Sequence, residues 1–160
     1  MTKTDIQPSR ATEIPALQQI TEETGLFPSQ MLPEMIAPGL EGETSAFWLS
    51  AHLKGQVAGF AFAGPEEMTD GTWNLLAIAV LPELQKCGVG RALVTAVEDR
   101  LRRDGQRLLL IDTSGTAAFD HVHRFYRSLG FTPEARIRDY WAAGDDKVTF
   151  SKALDGNSSG

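Results

Sequence analysis

Ala77-Ile78-Ala79-Val80-Leu81-Pro82-Glu83-Leu84-Gln85-Lys86-Cys87-Gly88-Val89-Gly90-Arg91-Ala92-Leu93 decides the reading of this chain. An apolar run, Leu75 to Leu81, stops at Pro82 and reads as a strand. After the glycines, Val89, Ala92, Leu93, Ala96, Val97 and Leu101 recur at the spacing of one helix face. A strand, a Gly-containing loop and a helix therefore follow one another. The first turn of a helix carries backbone N–H groups without internal partners, and the helix dipole favours an anion there. Gly88 and Gly90 lack Cβ, so phosphate oxygens can approach the main chain, and Lys86 and Arg91 add positive charge. Local chemistry alone supports a phosphate or pyrophosphate site. A nucleoside-triphosphate loop would need Lys and Ser or Thr after its last glycine, where Arg91-Ala92 stands. A dinucleotide fingerprint would need a third glycine where Leu93 stands, even if Asp112 were offered as its acid.

The flanks fill in the fold. Ala46–Leu53 and Gln56–Ala63 surround Lys54-Gly55 and read as a β-hairpin. Thr72 to Leu81 is nearly all apolar, which predicts a mid-sheet strand buried on both faces. Upstream, a short strand around Ile6 precedes a helix over Ala11–Glu23 with Ile14, Leu17 and Ile20 on one stripe. Pro33 and Pro38 limit Pro28–Gly42 to at most a short helix and loops. Downstream, Arg107–Asp112 reads as a strand and Ala117–Leu129 as a helix closed by Gly130. Phe131–Trp141 and Lys147–Leu154 read as strands, with a turn at Gly144-Asp145-Asp146. The order β-α-(α)-β-β-β-α-β-α-β-β predicts a mixed α/β fold around one sheet.

Composition agrees with one ordinary globular domain over residues 1–160, with 42% apolar and 22% charged residues. The net charge of −6, with no basic runs, argues against nucleic acid and for a neutral or cationic partner. Cys87 stands alone, so no internal disulfide and no cysteine-rich zinc site is expected. The start MTKTDIQPSR has no apolar core, and no apolar run could cross a bilayer, so a cytoplasmic protein is expected, with no membrane partner. Met1–Thr4 and Asp155–Gly160 read as loose ends.

Gln85, Gly88 and Gly90 occupy the three fixed positions of the pattern Gln or Arg, two residues, Gly, one residue, Gly or Ala. Arg124-Phe125-Tyr126-Arg127-Ser128-Leu129-Gly130-Phe131 adds a Phe-Tyr on a helix closed by Gly-Phe. In these two markers, their order and their spacing, the chain resembles the GNAT superfamily, the GCN5-related N-acetyltransferases, over nearly its whole length. The resemblance implies a mostly antiparallel twisted sheet of about six or seven strands, splayed between the fourth and fifth, with about four helices. It implies acetyl-CoA as co-substrate and no metal. The acetyl group would pass to a primary amine, of a small molecule by expectation, through direct attack in a ternary complex. Gln85, Lys86, Cys87, Gly88, Val89, Gly90 and Arg91 would hold the pyrophosphate, and Ile78, Ala79 and Val80 the pantetheine. Tyr126 would be the general acid toward the departing sulfur, against its plain reading as a core residue on the face of Phe119, Val122 and Leu129.

The family often has a carboxylate eleven residues before the Gln85 position, where this chain has Asn74, and an amide takes no proton at neutral pH. Glu66, Glu67, Asp112 and Asp139 are then candidate bases, as is a water chain. Phe119 replaces an asparagine usual in the family, seven residues before the tyrosine. Trp73, Asn74, Asp112, Asp139 and Tyr140 are the expected acceptor contacts, with Phe27, Phe60, Phe62 and Trp141 as further aromatic walls or simply core. The family's last strands often pair across a dimer, so a homodimer is an open expectation. Cys87 has no His or Asp close in sequence to activate it and reads as inert. His121 and His123, two apart on a helix, point to different faces and cannot share a metal. A non-catalytic acyl-CoA-binding or sensing module is the rival reading, favoured by Asn74 and opposed by the intact Phe-Tyr. A nucleotide-binding protein unrelated to CoA is the third.

Overall fold

The computed structural model describes residues Lys3–Leu154; most of the two ends expected to be loose lie outside the described residues. The strands are β1 (Asp5–Pro8), β2 (Phe47–Leu53), β3 (Gln56–Pro65), β4 (Thr72–Val80), β5 (Leu108–Ser114), β6 (Thr132–Ala142) and β7 (Asp145–Ala153). The helices are α1 (Ile14–Thr24), α2 (Leu32–Leu40), α3 (Val89–Arg103) and α4 (Asp120–Ser128). Their order is the expected one. The strands run β1-β2-β3-β4-β5-β7-β6 across a seven-stranded sheet. Pairs β1–β2, β2–β3, β5–β7 and β6–β7 are antiparallel, whereas β4 and β5 are parallel, with α3 as the crossover between them. This is the mixed sheet with four helices that the sequence predicts.

The chain divides into two compact bodies, one formed by the residues up to Pro65 with Leu76–Arg100, the other by Glu66–Leu75 with the residues from Leu101 onward. In the first body, Leu17 and Ile20 of α1 and Leu32 and Ile36 of α2 form a core with Trp48, Phe60, Ala77, Ala79 and Leu81. Lys54 and Gly55 take φ of 54° and 81°, the left-handed pair a two-residue hairpin needs. Gly59 is required by close approach: a Cβ there would lie 2.6 Å from the Ala79 carbonyl oxygen. In the second body, Leu109, Ile111, Phe131, Val148, Phe150 and Leu154 are buried.

Two expectations need correction. β4 is not buried on both faces. Trp73, Leu75, Ala77 and Ala79 are buried, but Leu76 is 54% exposed and Ile78 and Val80 are only half-buried. The burial follows the pleat: Trp73, Leu75, Ala77 and Ala79 share one buried face, and Leu76, Ile78 and Val80 lie on the other. The parallel ladder to β5 joins only Thr72↔Leu108, Trp73↔Leu109 and Asn74↔Leu110, so β4 continues to Val80 without that ladder. α2 is the short helix that the prolines of Pro28–Gly42 were expected to allow. Pro33 sits in the first turn, where an N–H has no helical partner anyway, and Pro38 falls so near the end that little is lost. The expected helix over Ala117–Leu129 begins as a 3-10 turn, Ala117–Phe119, before α4. Phe119 is thereby left 39% exposed, off the face assigned to it.

Candidate active site

The loop between β4 and α3 belongs wholly to the first body. A 3-10 turn over Pro82–Leu84 carries the chain away from the strand. The Gln85 side-chain amide then donates to the Val80 carbonyl at 3.1 Å, tying the loop back to the strand end. Lys86 and Gly88 adopt φ of 73° and 84° on either side of exposed Cys87. That alternation turns successive N–H groups to one side, a concavity suited to anions. The Ala92 N–H reaches the Gly88 carbonyl at 3.0 Å and starts the helical ladder. The N–H groups of Gly88, Val89, Gly90 and Arg91 donate to no backbone carbonyl or side chain among the described residues. A Cβ built on Gly88 would meet nothing within 4 Å, so the space above it is open. Lys86 and Arg91 are exposed beside it. Unpartnered donors, a helix N-terminus, open space and two cations make a fitting cradle for a pyrophosphate.

A second constellation lies in the other body. Asn74, 6% exposed, donates through Nδ2 to Glu66 Oε2 at 3.0 Å and to Asp112 Oδ2 at 3.1 Å. Thr149 donates its hydroxyl to Asp112 Oδ1 at 2.6 Å. The Glu66 main chain is fixed by its N–H to the Thr72 carbonyl at 2.8 Å. Asn74 and Asp112 were expected near the acceptor, and the fold brings them together with Glu66, one of four carboxylates the sequence could not rank.

Tyr126 is 5% exposed and packs against Phe131 and Phe150, with ring centroids 6.0 and 5.8 Å away. Burial pushes its phenol up to about 12. Its hydroxyl has no hydrogen-bond partner among the described residues, yet it is not one of the buried orphan atoms. The geometry thus holds the ring as a core residue and leaves the oxygen without an internal role.

The other candidates are distributed differently. Trp73 is buried on the β4 face opposite Asn74. Phe60 is fully buried, and Phe62 stacks on Trp48 at 4.2 Å, so both pack the core. Phe27 packs against the same core. Asp139, at φ 56°, accepts the Gly144 N–H at 2.9 Å and donates its own N–H to Asp146 at 3.0 Å, which makes it a turn former. Tyr140 is half-exposed, with the Lys147 ammonium 4.2 Å from its ring. Asp146 is held below the usual carboxylate range by the Asp139 N–H and the Arg136 guanidinium. His123 Nε2 meets the Ser114 carbonyl at 2.8 Å, a packing role.

Sequence reasoning missed one cluster. Glu13, 7% exposed, accepts from the Arg10 N–H at 2.9 Å and Ser50 Oγ at 3.0 Å, and lies 2.6 Å from His52 Nε2. Burial pushes its carboxyl up, but these hydrogen bonds outweigh that and leave it below its ordinary value. Polar residues on an apolar strand were the only signal.

The sequence profile of the acetyltransferase (GNAT) family matches residues 14–131. Among solved structures, a GNAT-family protein from Desulfovibrio desulfuricans superposes with a TM-score of 0.85 at 30% identity, covering 95% of this chain and 99% of its own. The ribosomal-protein-S18-alanine N-acetyltransferase from Escherichia coli gives 0.79 at 21% identity, with 98% of each chain covered. The yncA protein from Salmonella typhimurium, solved with its cofactor acetyl-CoA, gives 0.77 at 22%, covering 97% and 96%. No protein of curated function matches the chain significantly.

Proposed function

We propose, from the premise that this chain belongs to the acetyltransferase (GNAT) family, that it binds acetyl-CoA and moves the acetyl group to a primary amine of a small molecule. The chain would act as one domain over residues 1–160. The observation that carries the reading is the set of unpartnered N–H groups from Gly88 to Arg91 above an open cradle. Gln85 to Arg91 would receive the pyrophosphate. The β4 backbone from Ile78 to Val80, without a ladder to β5, would hold the pantetheine by strand-like hydrogen bonds. Attack of the amine on the thioester would be direct, with no enzyme-bound acyl group. Exposed Cys87 lies in the loop with no hydrogen-bonded base, which suits this route.

Tyr126 would protonate the departing sulfur. Its raised phenol keeps the proton through neutral pH, so it would act as a hydrogen-bond donor that gives the proton up only as thiolate charge develops. Tyr126→Phe keeps the ring packing. An acid role requires a kcat loss of about 10²- to 10⁴-fold with acetyl-CoA affinity unchanged.

The test is a melting panel with acetyl-CoA, ATP and NAD, followed by a screen of small amines and peptides with an N-terminal alanine for thiol release. At about 100 times its Kd, acetyl-CoA should stabilise by roughly 2.7 kcal/mol. No shift with acetyl-CoA overturns the reading. A shift without release from any acceptor would leave the sensing module in its place.

A further inference from the structure

We propose that Glu66 takes the proton from the acceptor amine and that Asn74 positions it. This rests on the acetyltransferase reading above and names the base of that same site. Asn74 is buried in a sheet strand, yet its side chain serves no backbone group. Both of its recorded bonds go from Nδ2 to carboxylates, Glu66 at 3.0 Å and Asp112 at 3.1 Å. The opposite amide orientation would set a carbonyl oxygen against two carboxylate oxygens, so the donor assignment follows from the chemistry. Two half-buried carboxylates therefore share one neutral amide, and neither has an ion-pair partner among the described residues. Partly buried anions ordinarily recruit a cation. An arriving alkylammonium is the cation that would complete this cluster.

The two carboxylates are not equivalent. Asp112 accepts a bond on each oxygen, from Thr149 on Oδ1 at 2.6 Å and from Asn74 on Oδ2. Glu66 accepts on Oε2 alone, so Oε1 is left without a donor among the described residues. It is also the carboxylate on the β3–β4 loop, where a ligand can reach it, with its main chain fixed by Thr72. Glu66 has the free lone pairs and Asp112 the fixed charge. Asn74 is on the same β4 face as exposed Leu76 and half-buried Ile78.

The protons balance as follows. The ammonium gives one proton to Glu66 Oε1, directly or through one water. The freed nitrogen forms the N–C bond as the C–S bond breaks. The second nitrogen proton leaves through solvent and replaces the one that Tyr126 gives to the sulfur. Glu66 returns its proton to water between turnovers.

Glu66→Gln keeps an oxygen for Asn74 to bond but cannot take a proton. With any amine the wild type acetylates, kcat at neutral pH should fall about 10²- to 10⁴-fold while the acetyl-CoA melting shift stays the same. The deficit should shrink as pH approaches the amine's own pKa, where the nucleophile arrives already deprotonated. Asp112→Asn should cost less than Glu66→Gln. Asn74→Ala should lower kcat and shift the acidic limb of the pH profile, with folding checked by circular dichroism. A Glu66→Gln enzyme within about twofold of wild type, or an Asp112→Asn loss larger than its own, would overturn the proposal while the transferase reading stands. A wild type that binds acetyl-CoA but acetylates no amine, or that binds none, overturns both.

Discussion

The loop over Gln85–Arg91 and the cluster of Glu66, Asn74 and Asp112 are built in opposite ways. The loop is contiguous in sequence and presents backbone N–H groups. Glycine supplies the left-handed turn and the open space there, and the Gln85 side chain ties the loop to Val80. The cluster draws its members from the β3–β4 loop, β4 and β5, with Thr149 of β7 behind them, and presents side-chain oxygens and one amide. A backbone site can be written as a short motif. A side-chain site assembled by strand pairing cannot, because its spacing in sequence carries no chemical constraint.

The largest expected effect separates the two directly. Gly88→Glu puts a carboxylate in the cradle and should abolish the acetyl-CoA melting shift, a loss of roughly 2.7 kcal/mol at 100 times Kd. The ligand-free protein should stay folded, since an added Cβ meets nothing within 4 Å. An undiminished shift in that variant would place the pyrophosphate elsewhere.

Next in size is an alkaline effect from the second body. Burial raises the Tyr126 phenol to about 12, while an unfolded tyrosine titrates near 10. The folded state therefore holds this proton more tightly, and the stability it contributes is complete below about pH 10 and lost as pH rises through about 12. Urea unfolding should weaken by up to about 2.7 kcal/mol across that window in wild type and by less in Tyr126→Phe. Equal pH slopes in the two proteins would mean that the phenol is not held in an apolar site.

Smaller still, Thr149→Val removes the hydroxyl that holds Asp112 and should cost about 1.5 kcal/mol of stability, read by urea unfolding, with no change in the acetyl-CoA shift. A changed shift would show that the two sites are coupled. Gly88→Ala should cost the least, about 1 kcal/mol for a left-handed non-glycine residue, while acetyl-CoA still binds. Loss of binding in this variant would mean the ligand fills even the room a methyl group needs.

The element order was legible because the apolar residues change pattern at each step: two short apolar runs around the Lys54-Gly55 turn, a continuous run in β4, three-and-four spacing in α3. The β4 pattern misled on burial. An unbroken apolar run signals cover on both faces, but Leu76, Ile78 and Val80 are apolar on the less covered face of the pleat. Hydrophobicity records which residues tolerate an apolar neighbour and is silent on whether that neighbour belongs to the protein. Phe119 was misassigned because a 3-10 turn rotates residues by more per step than the α-helix assumed for Ala117–Leu129.

By itself the sequence determined the fold class, the Gly-containing loop that opens α3 and the Phe-Tyr helix, since each rests on interactions between residues close along the chain. Only the tertiary structure decided which carboxylate meets Asn74, that Asp139 of β6 bonds to Gly144 and Asp146, and that Glu13 and His52 form a pair. Those outcomes depend on strand register and loop closure, which bring side chains 38 and 39 residues apart into hydrogen-bond contact, and no local period encodes such a separation.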